Sequence, residues 1–173
     1  MDIYDGKLYM AEAGNHRVSV FDLQGKFLFL FGGSGTELGK INVAEAAKVS
    51  SEGKVYVSDL KNDRVQVFDK DGKFIKLWGK TGSGPGEFKT PVGLAIDKHD
   101  NIYVTEIGND RVQVFDKEGM FITMWGKKGS GNGEFGNLHG IIVDKGTGWV
   151  YAADTANNRV QVFKPVPPIV GSK

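Results

Sequence analysis

The sequence predicts an all-β fold assembled from repeated four-stranded sheets. Three observations carry that expectation: an in-register repeat, short strand-like runs inside each copy, and turn chemistry between the runs. The phrase NDRVQVFDK stands at residues 62–70 and again at 109–117, with looser copies NHRVSVFD at 15–22 and NNRVQVFK at 157–164. Its arginines, Arg17, Arg64, Arg111 and Arg159, are therefore 47, 47 and 48 residues apart. A fixed period in this range marks a repeat architecture.

Within residues 86–126 four runs rich in β-branched and aromatic residues follow one another: VGLAI, NIYVTE, RVQVFD and MFITMW. The turn sequences DKHD, IGND and DKEG separate them, as expected of hairpins. No run holds a helical apolar period over ten residues. Val112 and Val114 would face one side of their strand, Gln113 and Phe115 the other. A small sheet with apolar residues on both faces needs cover on both sides, and radial stacking of four-stranded blades supplies it. The predicted architecture is thus a β-propeller spanning residues 1–164, with repeats around 1–32, 33–79, 80–126 and 127–164, followed by a Pro-rich tail at 165–173. Three full four-stranded blades with partial blades at the ends are expected. The first copy begins at the end of its first strand, and the last stops after its third, where KPVPPIVGSK cannot sustain a sheet ladder.

Composition narrows the function classes. With 22 Lys+Arg against 21 Asp+Glu, the formal charge is +1, which gives no overall pull toward nucleic acid or anionic membrane. The absence of cysteine excludes disulfides, thiol catalysis and Cys-ligated zinc. No apolar run nears the ~20 residues of a spanning helix, so membrane insertion is not expected. The start MDIYDGKLYM lacks the basic and apolar regions of a signal peptide, which leaves the compartment open.

The segments PVGLAIDKHDNIYVTEIGNDRVQVFDKEG (91–119) and LHGIIVDKGTGWVYAADTANNRVQVF (138–163) resemble the NHL-repeat family. The resemblance implies a propeller, most often six-bladed, with each blade's first strand innermost. It also implies several activities: peptidyl-hydroxyglycine lyases, RNA-binding or ubiquitin-ligase-associated modules, kinase sensor domains and interaction scaffolds. Six repeats of this length need about 280 residues, so the 173 present predict an incomplete ring. Its open blade edges would favour self-association or a protein partner. Closure as a four-bladed ring, patched by the tail's Ile-Val or the N-terminal residues, is the alternative.

The acids Glu12, Asp59, Glu106 and Asp154 each stand five residues before their arginines, Arg17, Arg64, Arg111 and Arg159. That spacing places acid and Arg on facing strands of a hairpin, with the intervening Asn in a left-handed turn or bonded to its own backbone. The expectation is structural pairing rather than an anion-binding ring of arginines. The loops GKTGSGPGEF and GKKGSGNGEF lack the spaced glycines and following helix of a phosphate loop. Phe88 and Phe135 in these loops, and Trp78 and Trp125 at the strand ends, read as packing between blades.

The candidate ligand rim comprises Glu45, Val92 and His139, aligned at the start of the innermost strands, with Lys80, Lys127 and Lys128 in the interblade loops. The resemblance to the lyases implies zinc ligands from separate blades at this rim. Here only His139 is a metal candidate, short of the three protein ligands of a catalytic zinc. No catalytic residue and no cofactor is therefore expected. A non-catalytic binding scaffold leads, with a metal-dependent lyase or hydrolase and an RNA-binding module as alternatives.

Overall fold

The computed structural model describes residues 1–167 as fifteen strands in four antiparallel sheets. The first sheet holds β1 (Asp2–Tyr4), β2 (Lys7–Glu12), β3 (Arg17–Asp22) and β4 (Phe27–Gly32) in sequence order. The second holds β5 (Ala44–Val49), β6 (Val55–Asp59), β7 (Arg64–Phe68) and β8 (Phe74–Trp78). The third holds β9 (Pro91–Ile96), β10 (Ile102–Glu106), β11 (Arg111–Phe115) and β12 (Phe121–Trp125). The fourth has three strands among the described residues, β13 (Leu138–Val143), β14 (Val150–Asp154) and β15 (Arg159–Phe163). This is the propeller arrangement that the repeat predicts, and it is incomplete.

The first blade departs from expectation in one respect. A three-residue first strand is present, joined to β2 through Asp5-Gly6, both at positive φ. Two such residues form the tight hairpin turn that matches strand twist. In the complete blades the hairpin between third and fourth strands is fixed by an aspartate: Asp69 accepts from the N–H groups of Asp71 and Lys73, and Asp116 from those of Glu118 and Met120. The fourth blade has Lys164-Pro165 at this point. Residues 168–173, and with them most of the expected tail and its Ile-Val, lie outside the described residues.

Blades stack face to face. The first strands β1, β5, β9 and β13 lie beside one another from blade to blade. Three cores fill the seams. Tyr9, Val18 and Val20 of the first blade meet Ala47, Val55 and Phe68 of the second. Val65 and Val67 meet Ile102, Val104 and Phe115; Val112 and Val114 meet Leu138, Val150 and Ala152. The aromatic that ends each fourth strand crosses the seam: Trp78 lies 5.7 Å from Phe115, and Trp125 lies 5.5 Å from Phe163, by ring centroids.

Among the described residues the stack is open at its last blade. Val65, Val67, Val112 and Val114 are fully buried, whereas the equivalent Val160 and Val162 of the fourth blade are 62% and 51% exposed. Ile142 on the same blade is 60% exposed. The four blades form an arc whose last apolar face has no neighbour among the described residues.

The loops between blades carry an aromatic or aliphatic plug, fully buried Ile41, Phe88 or Phe135, that pairs in parallel with Ser34, Thr81 or Lys128. The glycine just before each loop makes room for it. A Cβ on Gly126 would sit 2.7 Å from the Phe135 ring and 2.8 Å from the Asp110 carbonyl, with φ at +107°. Gly133, later in the same loop, also has positive φ but meets nothing within 4 Å. Gly126→Ala should therefore destabilise by about 2–4 kcal/mol, adding overpacking to backbone strain. Gly133→Ala should cost about 1 kcal/mol from strain alone. Urea unfolding of the two variants separates these effects; equal losses would remove the plug from the account.

Candidate functional site

The repeated phrase builds a clamp. In the second blade Asp59 and Arg64 are cross-strand partners, and Arg64 Nε donates to Asp59 Oδ2 at 2.7 Å. The same carboxylate accepts from Asn62 Nδ2 and from Gln66 Nε2 at 3.0 Å, and from the Asn42 N–H at 2.6 Å. Arg64 then reaches out of the hairpin, donating to the carbonyls of Thr36, Glu37 and Lys40 in the interblade loop. Gln66 ties the same loop from both ends of its amide, through the Lys40 carbonyl and the Gly39 N–H.

Glu106, Asn109, Arg111 and Gln113 repeat the arrangement in the third blade, where Arg111 holds the carbonyls of Ser83, Gly84 and Glu87. Asp154, Asn157, Arg159 and Gln161 repeat it in the fourth, holding Gly131 and Glu134. The side chains of Asp59, Glu106 and Asp154 are fully buried. A buried carboxylate must be paired and hydrogen-bonded, and each has four or more donors. Burial by itself would raise the Asp154 pKa, but the Gly136 N–H, Arg159, Asn157 and Gln161 outweigh it and hold the group low.

The residue in the left-handed conformation is the one after the Asn: His16, Asp63, Asp110 and Asn158. Asn62, Asn109 and Asn157 instead donate to the acid and to the carbonyls of Gly35, Gly82 and Gly129. The left-handed residue serves as an acceptor for the next loop. His16 Nδ1 accepts from the Val43 N–H at 2.9 Å, and Asp63 and Asp110 accept from Thr90 and Asn137.

Glu45, Val92 and His139 occupy equivalent places, each within an irregularity of register in the innermost strand. Glu45 and His139 are exposed. Val92 is 2% exposed, so its side chain is packed inward and is not available to a ligand. A hydroxyl from the neighbouring strand fills each of two bulges. Ser58 Oγ accepts from the Ala46 N–H and donates across the seam to the Val92 carbonyl at 2.8 Å. Thr105 Oγ1 accepts from the Gly93 N–H and donates to the His139 carbonyl at 2.6 Å. The backbone of one blade's rim is thus bonded to its neighbour.

Lys80, Lys127 and Lys128 stand in the loops between blades. Lys80 pairs with Glu87, and Lys127 with Glu134, each at 3.2 Å. The Gly84 and Gly131 N–H groups, then these lysines, hold the two glutamates below the ordinary carboxylate range. Lys128 is exposed. Sequence reasoning missed a second inner feature, a cavity of about 140 Å³ bounded by Asp2, Lys48, Ile96, Ile142 and Lys145 from all four blades. Only the alternation of the inner strands could have pointed to Lys48. Among the described residues no group of three or more His, Cys, Asp or Glu side chains is placed to hold a metal ion, and no helix is long and apolar enough to cross a membrane.

In the first blade the clamp acid is Glu12, which accepts from Ser19 Oγ, from Asn15 Nδ2 at 2.5 Å and from Arg17 Nε at 3.2 Å. These bonds, Ser19's foremost, lower its pKa from 4.5 to about 2. The folded value lies below the unfolded one, so the stabilisation is present above about pH 4.5 and is lost as pH falls toward 2. The urea midpoint should decline across that window, and Glu12→Gln should flatten the decline. A variant with an unchanged pH slope would place the acid sensitivity elsewhere.

No curated protein matches the chain. Solved structures that resemble it include a streptogramin B lyase, 15% identical with TM-score 0.63, matching 97% of this chain and 54% of that one. A catalytically inactive virginiamycin B lyase from Staphylococcus aureus with quinupristin is 16% identical with TM-score 0.62, covering 97% of this chain and 55% of the other. The WD40 beta propeller domain of Doa1 is 13% identical with TM-score 0.68, covering 92% and 47%. The chain thus spans about half the length of these structures, and at such identities the likeness is one of fold. The sequence pattern of one family, described as 6-bladed beta-propeller, matches residues 40–108 and 98–164. Those residues make up more than half of the chain, which belongs to this 6-bladed beta-propeller family.

Proposed function

We propose that the chain is a non-catalytic binding scaffold of NHL-type repeats whose ligand meets the rim of the innermost strands. The phrases NDRVQVFDK and their register support the repeat type. One observation carries the functional reading. The repeated charged groups are used internally, in clamps and loop ion pairs, while the rim keeps one backbone geometry and changes its side chain, with Glu45 in one blade and His139 in another. Chemistry shared by the blades would recur at that position; recognition of an irregular partner calls for different groups at equivalent places.

Short peptides titrated into isotope-labelled protein test this reading by amide shifts. The expected response is confined to residues 45–48, 92–94 and 139–142. A Glu45→Ala, His139→Ala double variant should bind roughly tenfold or more weakly with unchanged thermal stability. Shifts confined to the outer strands would sink the scaffold reading. Consumption of streptogramin B by the protein would replace it with the lyase alternative, and salt-dependent RNA binding with the nucleic-acid one.

We also propose that the arc joins further blades of its own kind through its apolar end. Val160 and Val162 expose the face that Val65, Val67, Val112 and Val114 use to seat the next blade. Sedimentation should show a mass that rises with concentration, and Val160→Lys with Val162→Lys should return it to the monomer. A monomer at all concentrations would end this proposal.

A further inference from the structure

We propose that the Asn132-Gly133 pair, in the loop between the third and fourth blades, is a site of covalent self-modification. The asparagine closes on the amide that follows it and hydrolyses to an aspartyl or isoaspartyl residue, and Gln161 of the fourth-blade clamp sets the rate. Neither the rim ligand nor the assembly of further blades enters this reaction.

The repeat places an equivalent turn in each interblade loop, over residues 37–40, 84–87 and 131–134. The N–H groups of Lys40, Glu87 and Glu134 close these turns by donating to the Glu37, Gly84 and Gly131 carbonyls at 3.1, 3.2 and 3.1 Å. The third residue is glycine each time: Gly39, Gly86 and Gly133, with φ of +79°, +76° and +76°. Positive φ at the third residue alone is the signature of a type II turn. The second residue varies, from Leu38 to Pro85 to Asn132. Asn132-Gly133 is the one Asn-Gly step in the sequence, and Asn132 is exposed. Only the third of these loops therefore places a side-chain amide before an unhindered backbone nitrogen.

In the reaction the Gly133 nitrogen attacks the side-chain carbonyl carbon of Asn132. The new N–C bond forms, and ammonia leaves with the amide proton. Water then opens the succinimide at either carbonyl, which gives the aspartyl or the isoaspartyl form. The folded loop opposes the first step in two ways. The Gly133 N–H is held by Gln161 Oε1 at 2.9 Å. A type II turn also sets its second residue at ψ of about +120°, and ring closure needs the opposite rotation of that peptide. The clamp must release before the ring forms, so the modification records opening of this loop. Gln66 and Gln113 hold Gly39 and Gly86 in the same manner and are fully buried, whereas Gln161 is half-buried. The isoaspartyl product carries its main chain through the β-carbon. It adds an atom to a turn whose Gly131 and Glu134 carbonyls are bound by Arg159, so the modified loop fits its clamp less well.

The test holds the purified chain in warm, mildly alkaline buffer and follows Asn132 by peptide mapping that resolves asparaginyl, aspartyl and isoaspartyl forms. Conversion should occur, and more slowly than in a free peptide of residues 127–136, KKGSGNGEFG. Gln161→Leu should speed it about fivefold or more, the effect of losing one restraining hydrogen bond. Gln113→Leu makes the same loss at the preceding seam and should leave the Asn132 rate within about twofold of the parent's, since separate sites act independently. Equal acceleration by both glutamine variants would make global unfolding the route and overturn the role of Gln161. Asn132 left intact in both the parent and Gln161→Leu would overturn the proposal. Conversion in the parent as fast as in the peptide would overturn it too, and that comparison stands even if a variant does not fold.

Discussion

Three carboxylates with no exposure to solvent, Asp59, Glu106 and Asp154, set the terms for the rest of the molecule. A charge taken out of water is tolerated only when it is surrounded by donors. The surrounding groups come from two places: the hairpin that bears the acid and the loop arriving from the preceding blade. Meeting the electrostatic need of a single side chain therefore fixes where one sheet stands relative to the next. Arg64, Arg111 and Arg159 extend that control, since a guanidinium has more donors than one carboxylate can use. The surplus is spent on loop carbonyls that would otherwise lack partners.

With the loops held, the sheets stack by simple apolar complementarity. Valines of one third strand face phenylalanines and aliphatic residues of the following blade, and each tryptophan bridges a seam. The main contacts between blades join neighbours, so stability accumulates along the arc. The fourth blade differs from the internal ones in having three strands among the described residues and in the face it leaves uncovered. The fourth sheet keeps RVQVF unchanged although two of its valines face solvent.

Much of this was legible in the sequence because a repeat presents the same message several times. The strands, the hairpins, the burial of Phe88 and Phe135, the packing of Trp78 at a seam, and the shorter last copy follow from periodicity and turn residues. The partners of Arg64 outside its hairpin were not legible, because Thr36, Glu37 and Lys40 contribute backbone carbonyls, which any residue supplies. The identity of the left-handed residue was misplaced by one position. Asn62 and Asp63 both suit that conformation, and only the geometry reveals that the Asn side chain is already committed to Asp59. Val92 stands at the repeat position of Glu45 and His139, but a repeat position does not state burial. The bulges at Glu45 and Val92 turn on a seam hydroxyl, Ser58 or Thr105, with no distinctive motif.

Those two hydroxyls separate the support of the rim from its content. The carbonyls of Val92 and His139 are anchored by side chains of the preceding blade, while the Glu45 and His139 side chains take no part in that anchoring. A residue at the rim can thus be exchanged without disturbing the bond that positions its own backbone. Sequence drift at these places is decoupled from folding, so a repeated scaffold of this kind is able to acquire new specificities one side chain at a time.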